Sequence, residues 1–367
     1  MRIGQLATGE EILRYEKSIV VRFTGKRKVL SNAPVNGGMR SGLTAVFNNC
    51  CAGGSGDYWE AELKAPTYAE HNTILSRELG LDPEKTAGMI TAARMENASI
   101  KTVVYNDIAV TAVVTASLET NGGRAGDPAS WDELACSEAN EDITEFGTVN
   151  IMLFINVDLT DGALTRALIT CTEAKVAALQ ELLVPSRYSR GLATGSGTDS
   201  AIIVCNSDSD IKLTDAGNHV KLGECIGRAV KSAVKEALLR QSNLSPGSQH
   251  DIFERTSRYG ITPETLWEKL CETLEENDKA EPGGTRKARF DEIINSIRND
   301  DFLVTGTSLY VHLLDQLEWG LISPEEAYPY AELLLRQMNV YSANNLKSDC
   351  KESSVDYLIN ELHQLLV

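Results

Sequence analysis

Long apolar runs are missing from this 367-residue chain. Nothing in it approaches the roughly 18 consecutive apolar residues that a membrane-spanning helix needs. The longest candidate, Val149 to Val157, is interrupted by Asn150 and Asn156. The N-terminus, MRIGQLATGEEILRYEK, carries early acids and no apolar signal core, so a cytoplasmic location is expected. Basic residues are also in short supply: 35 Lys and Arg stand against 52 Asp and Glu, a formal charge of -17. Such a surface repels phosphate backbones and anionic lipid, so neither nucleic acid nor a membrane face is expected as a main partner. The eight cysteines are scattered with no CxxC pair, which leaves a zinc site or a disulfide framework without support. They are expected to be buried free thiols. No internal repeat or low-complexity tract is visible.

What remains is an ordinary globular composition, 42% hydrophobic and 24% charged, long enough for one large domain or two ordinary ones. Residues 18–50 read as β structure, with SIVVRF alternating and β-branched. A helix is predicted over 66–80, ending at Gly80. Strands follow in AGMITAA, IKTVVYN and IAVTAVVTASLE, the last two joined by a turn at Asn106-Asp107. Residues 120–146 read as a long polar loop and 147–157 as a buried strand. Residues 161–183 form the clearest helix, with Asp161 and Thr160 competing as its cap. Between 162 and 180 its only charges are Arg166, Glu173 and Lys175. A helix apolar nearly all round is expected to be buried on more than one side. The strand AIIVCN and a helix at about 222–240 complete this part. The order of elements fits a mixed-sheet α/β sandwich better than a regular βαβ array.

The C-terminal part differs. A helix opens at Thr262-Pro263-Glu264. Residues 277–289 read as a linker, and helices are predicted near 290–299, 306–319, 324–338 and 353–366. Residues 277–367 hold 15 acidic and 8 basic side chains. The expected organisation is therefore a first domain over 1–276 and an acidic all-helical appendage over 277–367.

Four segments carry candidate chemistry. In ATGSGTD (193–199), Gly195 and Gly197 let backbone approach a ligand, with Thr194, Ser196, Thr198 and Asp199 beside them. The segment enters a strand, so it is not a P-loop, and it lacks the GxSxG of a serine nucleophile elbow. It is either a tight polar turn or a ligand loop in which Asp199 orients a histidine or a water. His219, one of five histidines, precedes a helix N-terminus, which favours neutral imidazole and suits a general base. A structural histidine is the alternative. Glu173 pairs with Arg166 or serves as a catalytic carboxylate, and Lys175 either snorkels or meets a carboxylate. In SNAPVNGG (31–38), Asn32, Asn36 and the amides of Gly37 and Gly38 offer oxyanion or amide recognition, or else an ordinary β connection.

Taken together, VLSNAPVNGG, TAGMITAA, the long segment from GTVNIMLFINV through the TEAK helix, LATGSGTDSAIIV and AGNHVKLGECIGRAV resemble the adenosylcobinamide amidohydrolase (CbiZ) family. The resemblance spans about residues 15–240 and leaves the acidic tail outside. It implies a corrinoid-salvage amidase that splits aminopropanol from a corrin propionyl side chain, leaving adenosylcobyric acid. It implies a small-molecule corrinoid as partner, with self-association left open. Amide hydrolysis needs a base, oxyanion donors and an acid for the leaving amine. His219, Asp199 and Glu173 are the catalytic candidates. Asn32, Asn36, Gly37, Gly38, Asn150, Lys175, Thr194, Ser196 and Thr198 are the substrate-binding candidates. No DxHxxG pattern offers an axial histidine to cobalt, so the cobalt compound is expected as substrate, with no held cofactor and no resident metal. The alternatives are a corrinoid-binding or regulatory protein without hydrolysis, and an amidase using a Ser or Thr nucleophile on another substrate.

Overall fold

The computed structural model describes residues 1–53, 60–118, 120–129, 147–273, 283–345 and 354–365. They form two compact units, Met1–Ser245 and Pro246–Val367. The strands of the first unit are, in order, β1 (Arg2–Gln5), β2 (Glu11–Arg14), β3 (Ser18–Arg22), β4 (Arg27–Ser31), β5 (Gly38–Ser41) and β6 (Ala45–Cys50). Helix α1 (Tyr68–Glu78) leads to β7 (Thr86–Thr91), β8 (Ser99–Tyr105), β9 (Ile108–Ala116) and β10 (Val149–Ile155). Helix α2 (Asp161–Glu181), strand β11 (Ser200–Asn206) and helix α3 (Lys221–Ser242) close the unit.

Two mixed sheets result, one in the order β1-β2-β3-β6-β7 and one in the order β8-β9-β10-β11-β4-β5. Each contains a single parallel pair among these strands, β6 with β7 and β10 with β11. Successive side chains of a strand point to opposite faces, so a strand buried on both sides reads as a continuous apolar run. Strand β10 does this. Met152 and Phe154 join Val21, Val46 and Met89 between the sheets. Ile151, Leu153 and Ile155 face the helices, against Leu164, Ala167 and Cys171 of α2 and Ile226, Ala229 and Val230 of α3. On the far side, Leu75 of α1 packs with Val20 and Phe47. The layers therefore run α2/α3, sheet, sheet, α1, which is the expected mixed sandwich.

Local chemistry sets the ends of these elements. Thr160 caps α2 by accepting from the Ala163 amide at 3.3 Å, and Asp161 becomes the first helical residue, where its charge suits the positive helix end. Gly80 ends α1 at φ +66, and Asn106 makes the β8–β9 turn at φ +49. Strands β1 and β2 were not anticipated from the sequence. They are four residues each and half exposed, so they lack a readable alternation.

The second unit contains α4 (Ile252–Thr256), α5 (Pro263–Thr273), α6 (Gly283–Ile297), α7 (Asp301–Glu318), α8 (Pro324–Asn345) and α9 (Ser354–Gln364). Its core joins Ile252, Phe253, Leu266 and Leu270 to Phe290, Ile294, Leu303, Leu335 and Leu358. That packing places the division between Ser245 and Pro246, where the sequence had suggested 276/277. Helix α6 also takes up the 283–289 part of the expected linker, while 277–282 lies outside the described residues. So does the 130–146 part of the expected long loop. At α8 the capping box forms: the Glu326 amide donates to Ser323 Oγ and the Ser323 amide to Glu326 Oε2, at 3.3 and 2.8 Å. Among the described residues no helix is long and apolar enough to cross a membrane.

Candidate active site on the two sides of helix α2

Parallel pairing sets Asn150 opposite Ser200, which brings the start of β10 beside the loop that enters β11. The sheltered side of α2 meets that loop. Lys175, on α2, donates from Nζ to Asp199 Oδ2. Both side chains are largely buried, with 11% and 14% of their surface exposed. The Asp199 carboxylate is otherwise consumed locally. Oδ1 accepts from Ser196 Oγ at 2.7 Å and from the Val149 amide at 2.8 Å, and Oδ2 accepts from the Ser196 amide at 3.1 Å. Three donors and the Lys175 ammonium occupy this carboxylate, which leaves it little to offer a histidine. Asp199 therefore does not orient His219, and Lys175 meets a carboxylate, one of its two expected fates. The glycine of ATGSG is explained here: a Cβ on Gly195 would fall on the Asp199 carboxylate and the Lys175 ammonium.

The other predicted binding residues mostly hold this architecture. Thr198 Oγ1 bonds Thr148 Oγ1 at 2.6 Å and donates to the Gly147 carbonyl at 3.1 Å. Thr194 Oγ1 accepts from the Ala125 amide at 2.9 Å. Asn32 splints β11 from its edge, donating to the Asp199 carbonyl at 3.1 Å and accepting from the Ala201 amide at 2.9 Å. Asn36, at φ +56, donates to the Pro83 and Thr86 carbonyls, both at 2.8 Å. Gly37 packs so closely on the Ala33 carbonyl that a Cβ there would overlap it, and Gly38 sits opposite Ser31 in the edge pairing. Asn150 corrects the sequence reading most clearly. It is fully buried, and its amide donates to Asn48 Oδ1 at 2.8 Å and the Ile90 carbonyl at 3.0 Å. It ties the two sheets together.

The opposite side of α2 is open. The helix uses Leu164, Ala167, Cys171, Ala174 and Ala178 against the sheet and α3, the burial on more than one side expected from composition, and among the described residues its third side is left open. Leu168, Ile169, Thr172, Glu173, Val176 and Ala177 line a shallow concavity of about 590 Å³ there. Glu173 is not paired with Arg166. Its Oε2 accepts from Asn218 Nδ2 at 2.9 Å. Asn218 belongs to the turn before α3, which is anchored on α2 by Thr170 Oγ1 donating to the Ala216 carbonyl at 2.8 Å. Arg166 lies against Gly217 of the same turn. His219 follows Asn218 and is exposed.

Of the three catalytic candidates, the structure thus brings Glu173 to the turn that carries His219 and assigns Asp199 to the other side of the helix. Asn218 was missed by sequence reasoning. Its only signal was its place beside His219, because a lone Asn in a turn reads as turn chemistry. Its amide nitrogen donates to Glu173, which leaves Oδ1 as an acceptor on the exposed turn. The one thiol near Lys175, Cys171, is pushed up to about 12 by burial and is inert as a nucleophile at neutral pH. Cys50, Cys51, Cys205 and Cys225 are likewise buried and free, while Cys271 is exposed. Cys136 and Cys350 lie outside the described residues. Among the described residues no group of three or more His, Cys, Asp or Glu could hold a metal ion.

Comparison with known proteins covers the whole first unit. An uncharacterized protein of Methanocaldococcus jannaschii is 34% identical over 237 residues, which are 62% of this chain and 88% of that protein. The family described as adenosylcobinamide amidohydrolase matches residues 3–246, ending where the first compact unit ends. That match includes both sides of α2, the ATGSGTD loop and the turn before α3, and the chain belongs to the adenosylcobinamide amidohydrolase family.

Proposed function

We propose that the first unit hydrolyses the amide between aminopropanol and a corrin propionyl side chain of adenosylcobinamide. Water supplies hydroxyl to the carbonyl carbon, the C–N bond breaks, and the nitrogen leaves with the proton, giving adenosylcobyric acid and aminopropanol. The observation that carries this reading is the family match over residues 3–246, which contains the exposed His219 beside the Asn218–Glu173 hydrogen bond. In this reading His219 takes the proton from water and returns it to the leaving amine. Asn218 Oδ1 accepts from the substrate amide or its hydroxyl, and Glu173 holds Asn218 in that orientation. The cobalt compound is substrate, and no resident metal is required.

The test is incubation of the purified chain with adenosylcobinamide, with chromatography for adenosylcobyric acid and free aminopropanol. Both products are expected, in equal amounts and undiminished by a chelator. Activity lost in chelator and restored by zinc would move the chemistry to a metal. A second reading, corrinoid binding without hydrolysis, is favoured by one feature: Asp199, the acid of the ATGSGTD motif, is locked in place by Lys175. Corrinoid binding with no product would support it.

A further inference from the structure

Between 162 and 180 helix α2 carries only Arg166, Glu173 and Lys175 as charges, and one of its sides is left open among the described residues. Ile169, Thr172, Glu173 and Val176 recur at spacings of three and four, so they form one stripe roughly 10 Å long. Ile169 is 42% exposed. Glu173 is the only charged residue lining the concavity, its partner is the neutral Asn218, and it forms no ion pair among the described residues. An apolar stripe with one uncompensated carboxylate suits a flat, largely apolar ligand that bears a positive charge.

We infer that this stripe is the seat of the corrin macrocycle. The inference rests on the proposed function for the identity of the ligand. A cobalt(III) corrin carrying one carbanion ligand is a monocation, because the corrin ring itself contributes a single negative charge. Its faces are apolar and its amides lie at the periphery. Seated on Ile169 and Val176, the ring places its charge beside Glu173, and a peripheral side chain reaches the turn holding Asn218 and His219. A second copy of the chain fits less well. A twofold contact centred on this stripe would bury Glu173 against an apolar face or against its own mate, and both arrangements desolvate a carboxylate without compensation.

The experiment uses the full chain and Ile169→Lys and Val176→Lys, adding a cation at an exposed and at a half-buried position of the stripe, with Ile169→Met as the conservative control. Binding is read by equilibrium dialysis with adenosylcobyric acid, which lacks the scissile amide, and KM and kcat are read with adenosylcobinamide. Each Lys variant is expected to weaken binding and raise KM by about 10-fold or more, with kcat changed by less than about 3-fold and Ile169→Met near the parent. If the parent binds adenosylcobyric acid and the Lys variants lose it while no aminopropanol is ever released, the seat stands and the hydrolytic reading fails. Unchanged affinity and KM in folded Lys variants would overturn the seat. So would a parent that binds no corrinoid, or a dimer that Ile169→Lys splits without altering affinity.

Discussion

Two polar clusters flank one helix and behave oppositely. On the sheltered side, Lys175 and Asp199 are largely buried and every oxygen of the carboxylate is engaged. On the open side, Glu173 holds a neutral amide, and His219 stands exposed. Saturated hydrogen bonding in a low-dielectric setting rigidifies structure, whereas spare donors and acceptors beside an open surface are what a ligand needs. On that difference the proposed function places its chemistry on the second cluster, although the sequence motif ATGSGTD is the more eye-catching of the two.

The largest effect is expected from breaking the sheltered pair. Asp199→Ala leaves Lys175 buried without its anion and strands the Ser196 and Val149 donors. Removing one partner of a buried pair costs about 3–5 kcal/mol. Urea unfolding should show that loss, and Lys175→Met/Asp199→Asn together should cost less than the sum of the single changes. A stable Asp199→Ala protein without turnover would invert the comparison and make the sheltered side the working one.

On the open side, His219→Asn is expected to lower turnover by about 100-fold, the usual range for a lost general base, without moving the urea midpoint. Asn218→Ala should cost roughly 10-fold, the effect of one substrate hydrogen bond. Near-normal turnover in His219→Asn would remove this histidine as the base and leave Glu173 as the candidate.

A buried histidine sharpens the contrast. His71 is 1% exposed, its Nδ1 accepts from the Lys64 amide at 3.0 Å, and burial, then Lys64, hold its pKa below the ordinary value. Protonation is thus easier in the unfolded chain, so stability is present above the ordinary histidine pKa and falls as pH drops below about 6.5. The unfolding free energy should decline from about pH 7 to about pH 5, and His71→Asn should flatten that slope. His219→Asn should leave it intact. A slope that follows His219 would mean that the open-side histidine is bound into the fold.

The smallest effect is expected from removing residues 246–367, since both clusters and their supports belong to the first unit. Residues 1–245 should keep a cooperative unfolding transition. Ending the chain at 276 should aggregate it, because Ile252, Phe253, Leu266 and Leu270 lose the core they share with α6 to α9. A soluble, cooperative 1–276 protein would restore the boundary read from composition.

Much of the fold was legible. Strand β10 could be found because burial on both faces demands a continuous apolar run, and α1 because Thr67 and Gly80 bracket it with a cap and a left-handed stop. The ends of α6 were not legible, since Gly283-Gly284 and three basic residues read as linker until packing selects the helix. In the candidate site, the residue types of Asn32, Asn36 and Asn150 suggested ligand contacts. An amide that bonds a carbonyl of its own chain looks the same in sequence as one that bonds a substrate. Only their neighbours across the sheets, Asn48, Ile90, Pro83 and Thr86, decide between the two.

By itself the sequence determined the family, the mixed sandwich and the helical tail, because periodicity, caps and motif order are local properties of a chain. It also placed Glu173 and Lys175 on different faces of α2, since a helix turns by a fixed angle per residue. The tertiary structure alone decided which face was buried. Sheet pairing carried Asp199 to Lys175, and the anchored turn carried Asn218 to Glu173. The buried carboxylate is held by long-range contacts that no spacing rule contains, and the exposed one keeps its freedom because nothing else in the described structure packs there.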